Sequence, residues 1–142
     1  VTVLRTPPLP AVPVAVRVQD DYDVALARRL AAGLAQALGF SRTKIYRLAT
    51  AVSELGTNLV MHAQGGGTLH VDHHEDGARS VITVIAEDEG PGIVDLGLAL
   101  RDGYSTAGGL GGGLPGCRRL MDEFEIASEI GKGTRVVTRL WR

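Results

Sequence analysis

Four short clusters hold residue types at spacings that could do chemistry. Glu54 and Asn58 stand four apart in an apolar-periodic stretch, so on a helix they are neighbours one turn apart. At about 100° per residue they share a face set off from the surrounding leucines, with Ala51 and Met61 on the same side. The plain alternative is a solvated helix face. The second cluster, Glu87-Asp88-Glu89-Gly90-Pro91-Gly92, closes the apolar run 81–86. A carboxylate at a strand end can accept a hydrogen bond from an amine, and flanking glycines let a flat ligand reach the backbone. The alternative is a Gly-Pro-Gly turn. The third, Gly108-Gly109-Leu110-Gly111-Gly112-Gly113, runs into a helix-patterned segment. Freed N–H groups beside a helix N-terminus suit an anion; the alternative is a flexible linker. The fourth, Gly131-Lys132-Gly133-Thr134, sits between two strand-like stretches.

Three literal motif matches, two of them within these clusters, fail on context. Gly131-Lys132-Gly133-Thr134 looks like a phosphate loop, but Gly133 follows the lysine and position 126 is Ile126, so the Walker spacing is broken. Gly111-x-Gly113-x-x-Gly116 matches a dinucleotide fingerprint literally, yet it follows a glycine-rich loop and no βαβ unit surrounds it. His70, His73 and His74 lie together on a hairpin without an acidic or cysteine cluster at zinc-site spacing.

The elements that must position these clusters follow from periodicity. Val14, Val16 and Val18 alternate as a strand. Asp20 or Asp21 caps a helix reaching about Leu38, with Leu26, Leu30, Leu34 and Leu38 as its apolar stripe and Gly39 as its stop. Ser41 caps a second helix to about Ala63, with a core stripe of Ile45, Leu48, Ala49, Val52, Leu55 and Leu59. Residues 68–74 and 80–88 read as a hairpin turning at Asp76-Gly77. Residues 89–113 form a long glycine-rich loop with a short helix near 94–100, and loops of that length are usually functional. Residues 114–121 read as a helix, and 123–129 and 134–141 as strands. Helices first and hairpins later give an α+β fold: a two-layer sandwich, helices on one face of a mixed, largely antiparallel sheet.

Composition bounds the rest. A chain of 142 residues suits one domain. Residues 1–13, with Pro7, Pro8, Pro10 and Pro13, read as a Pro-rich leader ahead of a domain spanning 14–142. Net charge is −1, which argues against non-specific nucleic-acid or anionic-membrane binding. The single cysteine, Cys117, excludes an intrachain disulfide and reads as core. No apolar run reaches the roughly 18 residues of a membrane span, and the first twenty residues lack a signal-peptide core, so the cytoplasm is the expected compartment.

The order of the four clusters resembles the four boxes of the GHKL ATPases, in which a nucleotide lies between helices and sheet. Within them the chain is similar to the small serine/threonine kinases of bacterial sigma-factor partner switching. The runs 102–116, 118–124 and 128–134 carry that likeness, which covers about residues 14–141. The resemblance implies a Bergerat-type ATP-binding fold with ATP and Mg²⁺ as cofactors. Asn58 would ligate Mg²⁺, Glu54 would act as general base, and Asp88 would accept the adenine amino group. Gly90 and Gly92 would admit ring and ribose; Gly109, Gly111 and Gly113 would wrap the phosphates; Thr134 would close the adenine pocket. With no obvious lysine for the γ-phosphate, backbone amides or Arg118 and Arg119 would have to serve. Thr57 stands where the kinase family often has an arginine.

Implied partners are STAS-domain antagonist and scaffold proteins of a stress-sensing complex, as substrates, and a PP2C-type phosphatase that the released kinase binds and activates. The alternative is an anti-sigma factor that sequesters a sigma factor. A sensor histidine kinase is disfavoured because His62 falls in the wrong box, and a topoisomerase or chaperone ATPase needs transducer domains larger than 142 residues allow.

Overall fold

The computed structural model describes residues 13–101 and 113–142. The leader expected at 1–13 lies, except for Pro13, outside the described residues. In chain order the elements are β1 (Val14–Val18), α1 (Asp21–Ala37), α2 (Arg42–His62), β2 (Gly67–Asp76), β3 (Arg79–Asp88), α3 (Leu96–Ala99), α4 (Gly113–Leu120), β4 (Glu123–Glu129) and β5 (Gly133–Trp141). The strands form one sheet in the order β1-β2-β3-β5-β4. All four pairings are antiparallel, the limiting case of the largely antiparallel sheet expected from the hairpins.

Capping chemistry explains where the helices begin and end. Asp20 accepts from the Asp23 N–H at 3.0 Å and Asp23 in turn accepts from the Gln19 N–H at 2.9 Å, so two otherwise orphaned donors are satisfied reciprocally. At the far end of α1 the Phe40 N–H reaches the Ala35 carbonyl and the Gly39 N–H the Gln36 carbonyl. With Gly39 at φ 79 this is a Schellman stop, and Phe40 folds back into the core at 5% exposure. Ser41 caps α2 through the Lys44 N–H at 3.2 Å.

The leucine stripe read on α1 is corrected by the structure. Its buried face is Val24, Ala27, Ala31, Leu34 and Ala35, while Leu26 is 43% exposed and Leu30 and Leu38 are only partly covered. A repeat of four drifts by about 40° per step on a helix of 3.6 residues per turn, so a strict i, i+4 row walks off the contact face. Small residues at the contact let α1 lie close on α2, where a Cβ on Gly56 would meet Val24 at 3.0 Å. The α2 stripe holds at Leu48, Val52, Leu55 and Leu59, with Ile45 and Ala49 at its margin.

Alternation divides the sheet. Val16, Val18, Leu69, Val71, Ile82, Val84, Ala86, Val136 and Leu140 join the helices in the hydrophobic core, each buried aliphatic side chain contributing about 1.5–3 kcal/mol. The register aligns Asp88 with Thr134, and Thr134 with Ser128, at one end of three adjacent strands. Among the described residues no helix is long and apolar enough to cross a membrane.

The glycines at that end are structural. At Gly133, φ is 114 and an added Cβ would collide with the backbone of Asp88. At Gly77, φ is 63 with open space around it. Gly77→Ala is expected to cost about 1–2 kcal/mol, the left-handed backbone penalty alone. Gly133→Ala, which must also part β3 from β5, is expected to lower the thermal midpoint several degrees further, and paired melting curves check the order.

Candidate active site

A cavity of about 490 Å³ opens between α2 and the end of the sheet. Leu55, Asn58, Leu59 and His62 of α2 form one wall; Ala86, Asp88, Thr134 and Val136 of β3 and β5 form the floor. Residues 91–95, Leu98 and Ala99 close one side, and Gly113 and Leu114 of α4 another. Much of the lining is aliphatic, with a few polar groups placed in it, the usual make-up of a small-molecule site.

Asp88 ends β3 facing this cavity, where its Oδ1 accepts the Gly90 N–H at 2.8 Å. That bond fixes the carboxylate by turning the chain beneath it, so Gly90 serves the orientation of Asp88. Gly90 is not itself a lining residue; a Cβ there would meet Asp88 Oδ1 at 3.0 Å and Ala63 Cα at 3.1 Å. Gly92 does line the cavity, and its missing Cβ faces the Glu129 carbonyl, at 2.5 Å, with φ at 79. Both glycines therefore admit protein atoms at these positions. Thr134, directly across from Asp88, exchanges a 2.8 Å hydrogen bond with Ser128.

On the helix side Asn58 lines the cavity, and Glu54, one turn earlier, is only 2% exposed. The sequence placed Glu54 on a face apart from the leucines; that face is covered because α4 packs against it. Glu54 Oε2 accepts the Gly113 N–H at 3.2 Å, so the carboxylate holds the first residue of α4, which lies in the cavity wall. A negative charge at a helix N-terminus is favourable there. Gly109 and Gly111 lie outside the described residues. Arg118 reaches the Leu100 carbonyl at 3.4 Å.

Cys117, on the inward face of α4, is fully buried, as the core reading required. Burial pushes its thiol up to about 12, with the nearby Glu54 charge adding to the effect. Among the described residues no group of three or more His, Cys, Asp or Glu could hold a metal ion. The hairpin histidines diverge accordingly: His70 bonds Glu87 at 2.7 Å, His73 buries an unpartnered Nδ1, and His74 is exposed.

The histidine kinase-like ATPase domain family matches residues 18–140. This chain belongs to that family. It is 42% identical over 126 residues to the serine/threonine-protein kinase RsbT of Bacillus subtilis, covering 89% of this chain and 94% of that one. It is 34% identical over 115 residues to the anti-sigma F factor of Thermoanaerobacter sp., covering 78% and 79%. To the anti-sigma F factor of Clostridium novyi it is 31% identical over 124 residues, covering 80% and 82%. The chain thus joins the branch of RsbT-type serine/threonine-protein kinases and anti-sigma factors, an ATP-using enzyme of the protein serine/threonine kinase class.

Sequence reasoning missed the 93–99 wall and Ser128. The short helix expected near 94–100 is found at Leu96–Ala99, but its place in the cavity wall depends on contacts that no local pattern carries. The second was accessible: pairing the last two strands symmetrically about Gly131 puts Ser128 opposite Thr134.

The buried thiol carries a sign for alkaline stability. Its pKa rises from 9.0 to about 12 on folding, so from pH 9 upward the unfolded chain releases a proton that the folded chain keeps. Stability therefore falls as pH rises through this window, by about 1 kcal/mol per unit. Denaturant titrations from pH 8 to 11 should show a steeper alkaline loss in the parent than in Cys117→Ala, and a thiol reagent should label the parent only as it unfolds.

Proposed function

We propose that the chain binds Mg-ATP in the cavity between α2 and the sheet. It then transfers the γ-phosphate to a serine or threonine hydroxyl on a protein partner of a bacterial partner-switching pathway. The observation that supports this most is the convergence of Asp88, Thr134, Asn58 and Gly113 on one largely aliphatic cavity of nucleotide-accommodating volume. Phosphoryl transfer asks the protein chiefly for positioning and charge stabilisation, which such a site supplies.

In this reading the Asp88 carboxylate accepts from the adenine amino group, a donor that a 6-oxo purine lacks. The aliphatic walls cover the ring, and Thr134 closes the pocket beside Asp88. Asn58 offers one neutral oxygen toward Mg²⁺, in keeping with an ion that retains waters and phosphate oxygens as its other ligands. When bound, the ion would supply positive charge against the phosphates. Gly113 lines the cavity at the start of α4, where it would face the phosphates while its own N–H is held by Glu54. Glu54, one turn from Asn58, accepts the proton of the incoming hydroxyl as general base. Its partners would be STAS-domain antagonist and scaffold proteins as substrates and, once released from them, a PP2C-type phosphatase that it activates, with the cytoplasm as its compartment.

The anti-sigma F factor relatives support a second reading, sequestration of a sigma factor, with or without kinase activity. The two part in a co-purification: a kinase of the first kind retains STAS protein and phosphatase, an anti-sigma factor retains sigma factor.

Two measurements test the chemistry. Asp88→Asn and Asn58→Ala are each expected to weaken Mg-ATP binding roughly tenfold or more, since a charged or metal-directed contact in a sheltered pocket is worth about 1.5–3 kcal/mol; calorimetric titrations equal to the parent's would overturn the site. Glu54→Gln keeps an oxygen for the Gly113 N–H and discards the basic charge. It should fold, bind Mg-ATP and retain its STAS partner, yet transfer labelled phosphate about 10²-fold more slowly, the low end of general-base assistance. Undiminished transfer would remove Glu54 from the chemistry.

A further inference from the structure

Ser128 belongs to none of the four clusters read from the sequence and does not line the cavity, yet three of its contacts end there or beside it. Its Oγ accepts the Ile93 N–H at 2.7 Å, lies 2.8 Å from Thr134 Oγ1 and lies 3.2 Å from the Gly133 carbonyl oxygen. Ile93 and Thr134 both line the cavity, from opposite sides of the chain: one in the irregular stretch after β3, the other on β5. Apart from Ser128, that stretch is tied to the β4–β5 hairpin by the Gly131 N–H on the Pro91 carbonyl at 3.0 Å and by the close approach at Gly92.

A hydroxyl has one proton and two lone pairs. The Ile93 N–H takes one lone pair. If Ser128 gives its proton to the Gly133 carbonyl, its second lone pair is filled by the Thr134 proton and all three contacts are satisfied at once. The opposite orientation, Ser128 donating to Thr134, leaves the Gly133 contact without a hydrogen. In the arrangement that uses every contact, Thr134 has committed its only proton backward and presents lone pairs alone to the cavity. Its strand neighbour Asp88 is an acceptor as well when ionised.

We propose that Ser128 is a positioning residue for the nucleotide cavity: it orients the Thr134 hydroxyl as an acceptor beside Asp88 and anchors the cavity wall at Ile93. Ser128 touches no ligand and acts through those two residues. Without its Oγ, the Ile93 N–H loses its acceptor and the Thr134 proton is free to rotate toward the cavity. The site then both loosens and tolerates a base whose facing group is an acceptor. This inference rests on the nucleotide reading above, and the experiment separates the two.

The test is calorimetric titration of Mg-ATP and Mg-ITP, whose bases differ by an amine against a carbonyl, into the full chain and into Ser128→Ala, Ser128→Thr, Thr134→Val and the Ser128→Ala/Thr134→Val double variant. Steady-state phosphate transfer and melting curves accompany each. Ser128→Ala is expected to weaken ATP about 3–10-fold, to change the saturated rate less than twofold, and to lower the preference for ATP over ITP. Ser128→Thr, which keeps the hydroxyl, should restore both. In the Thr134→Val background the same change should cost clearly less, because its main target is gone. Should Ser128→Ala not fold, Ser128→Cys, close in size but a poor acceptor, takes its place. ATP affinity equal to the parent's, an unchanged ATP-to-ITP preference, or full additivity with Thr134→Val overturns the proposal while leaving the nucleotide site standing. Failure of the parent itself to bind Mg-ATP removes the nucleotide reading and this inference with it.

Discussion

Around the last residues of β3, backbone meets backbone at distances that no side chain permits. A Cβ at Gly67 would meet the Glu87 carbonyl oxygen at 2.5 Å, one at Gly133 would collide with Asp88, and one at Gly92 would strike the Glu129 carbonyl. Two chain segments thus converge on the end of β3, and the chain leaving it closes on the end of β4, because each carries a glycine at the point of approach. The rest of the site depends on that convergence. Only with β2 and β5 drawn in on either side does Asp88 stand across from Thr134, and only then can the chain after β3 turn back over the β4–β5 hairpin to form a wall.

The second requirement is met on the helix layer. A carboxylate as buried as Glu54 needs a partner for its charge, and α4 begins with an N–H that Glu54 accepts. The contact joins the middle of the second helix to a segment nearly sixty residues later in the chain, so the two walls of the cavity come from opposite halves of the sequence. Neither layer forms a site alone. The sheet contributes Asp88 and Thr134, the helix contributes a carboxylate and an amide side chain, and aliphatic side chains line the space between them.

How much of this the sequence displayed can be argued from particular residues. Alternation located β1, because in-facing and out-facing positions differ sharply in polarity in a sheet covered on one side, whereas β3 was legible as an apolar run bounded by turn residues. Caps located α1 and α2 to within a residue or two. The α1 stripe misled because leucines at a strict spacing of four look like a face and are not one, while the true contact used alanines, which carry little hydropathy to read. Asp88 and Asn58 were legible from type and position and Thr134 through the family resemblance, and the structure brings all three into one cavity. The burial of Glu54 was not, since it depends on α4 arriving from far along the chain. Ser128 went unread for a different reason: its importance lies in three contacts that exist only once the hairpin register and the 91–95 stretch are both set.

The strand order leaves β4 at one edge of the sheet. An edge strand offers a row of unpaired N–H and C=O groups to any other chain that drifts alongside. Here that edge alternates Glu123, Glu125 and Glu129 along the face away from the helices, with Glu125 and Glu129 exposed. Glu123 is paired with Arg139 and Glu129 with Lys132, so the repulsion that a second copy's edge would meet centres on Glu125 and works against the cross-β stacking that an open sheet otherwise invites. The safeguard is a charge and not a shape, and it therefore weakens as salt screens it, leaving the same strand open to become a seam for aggregation.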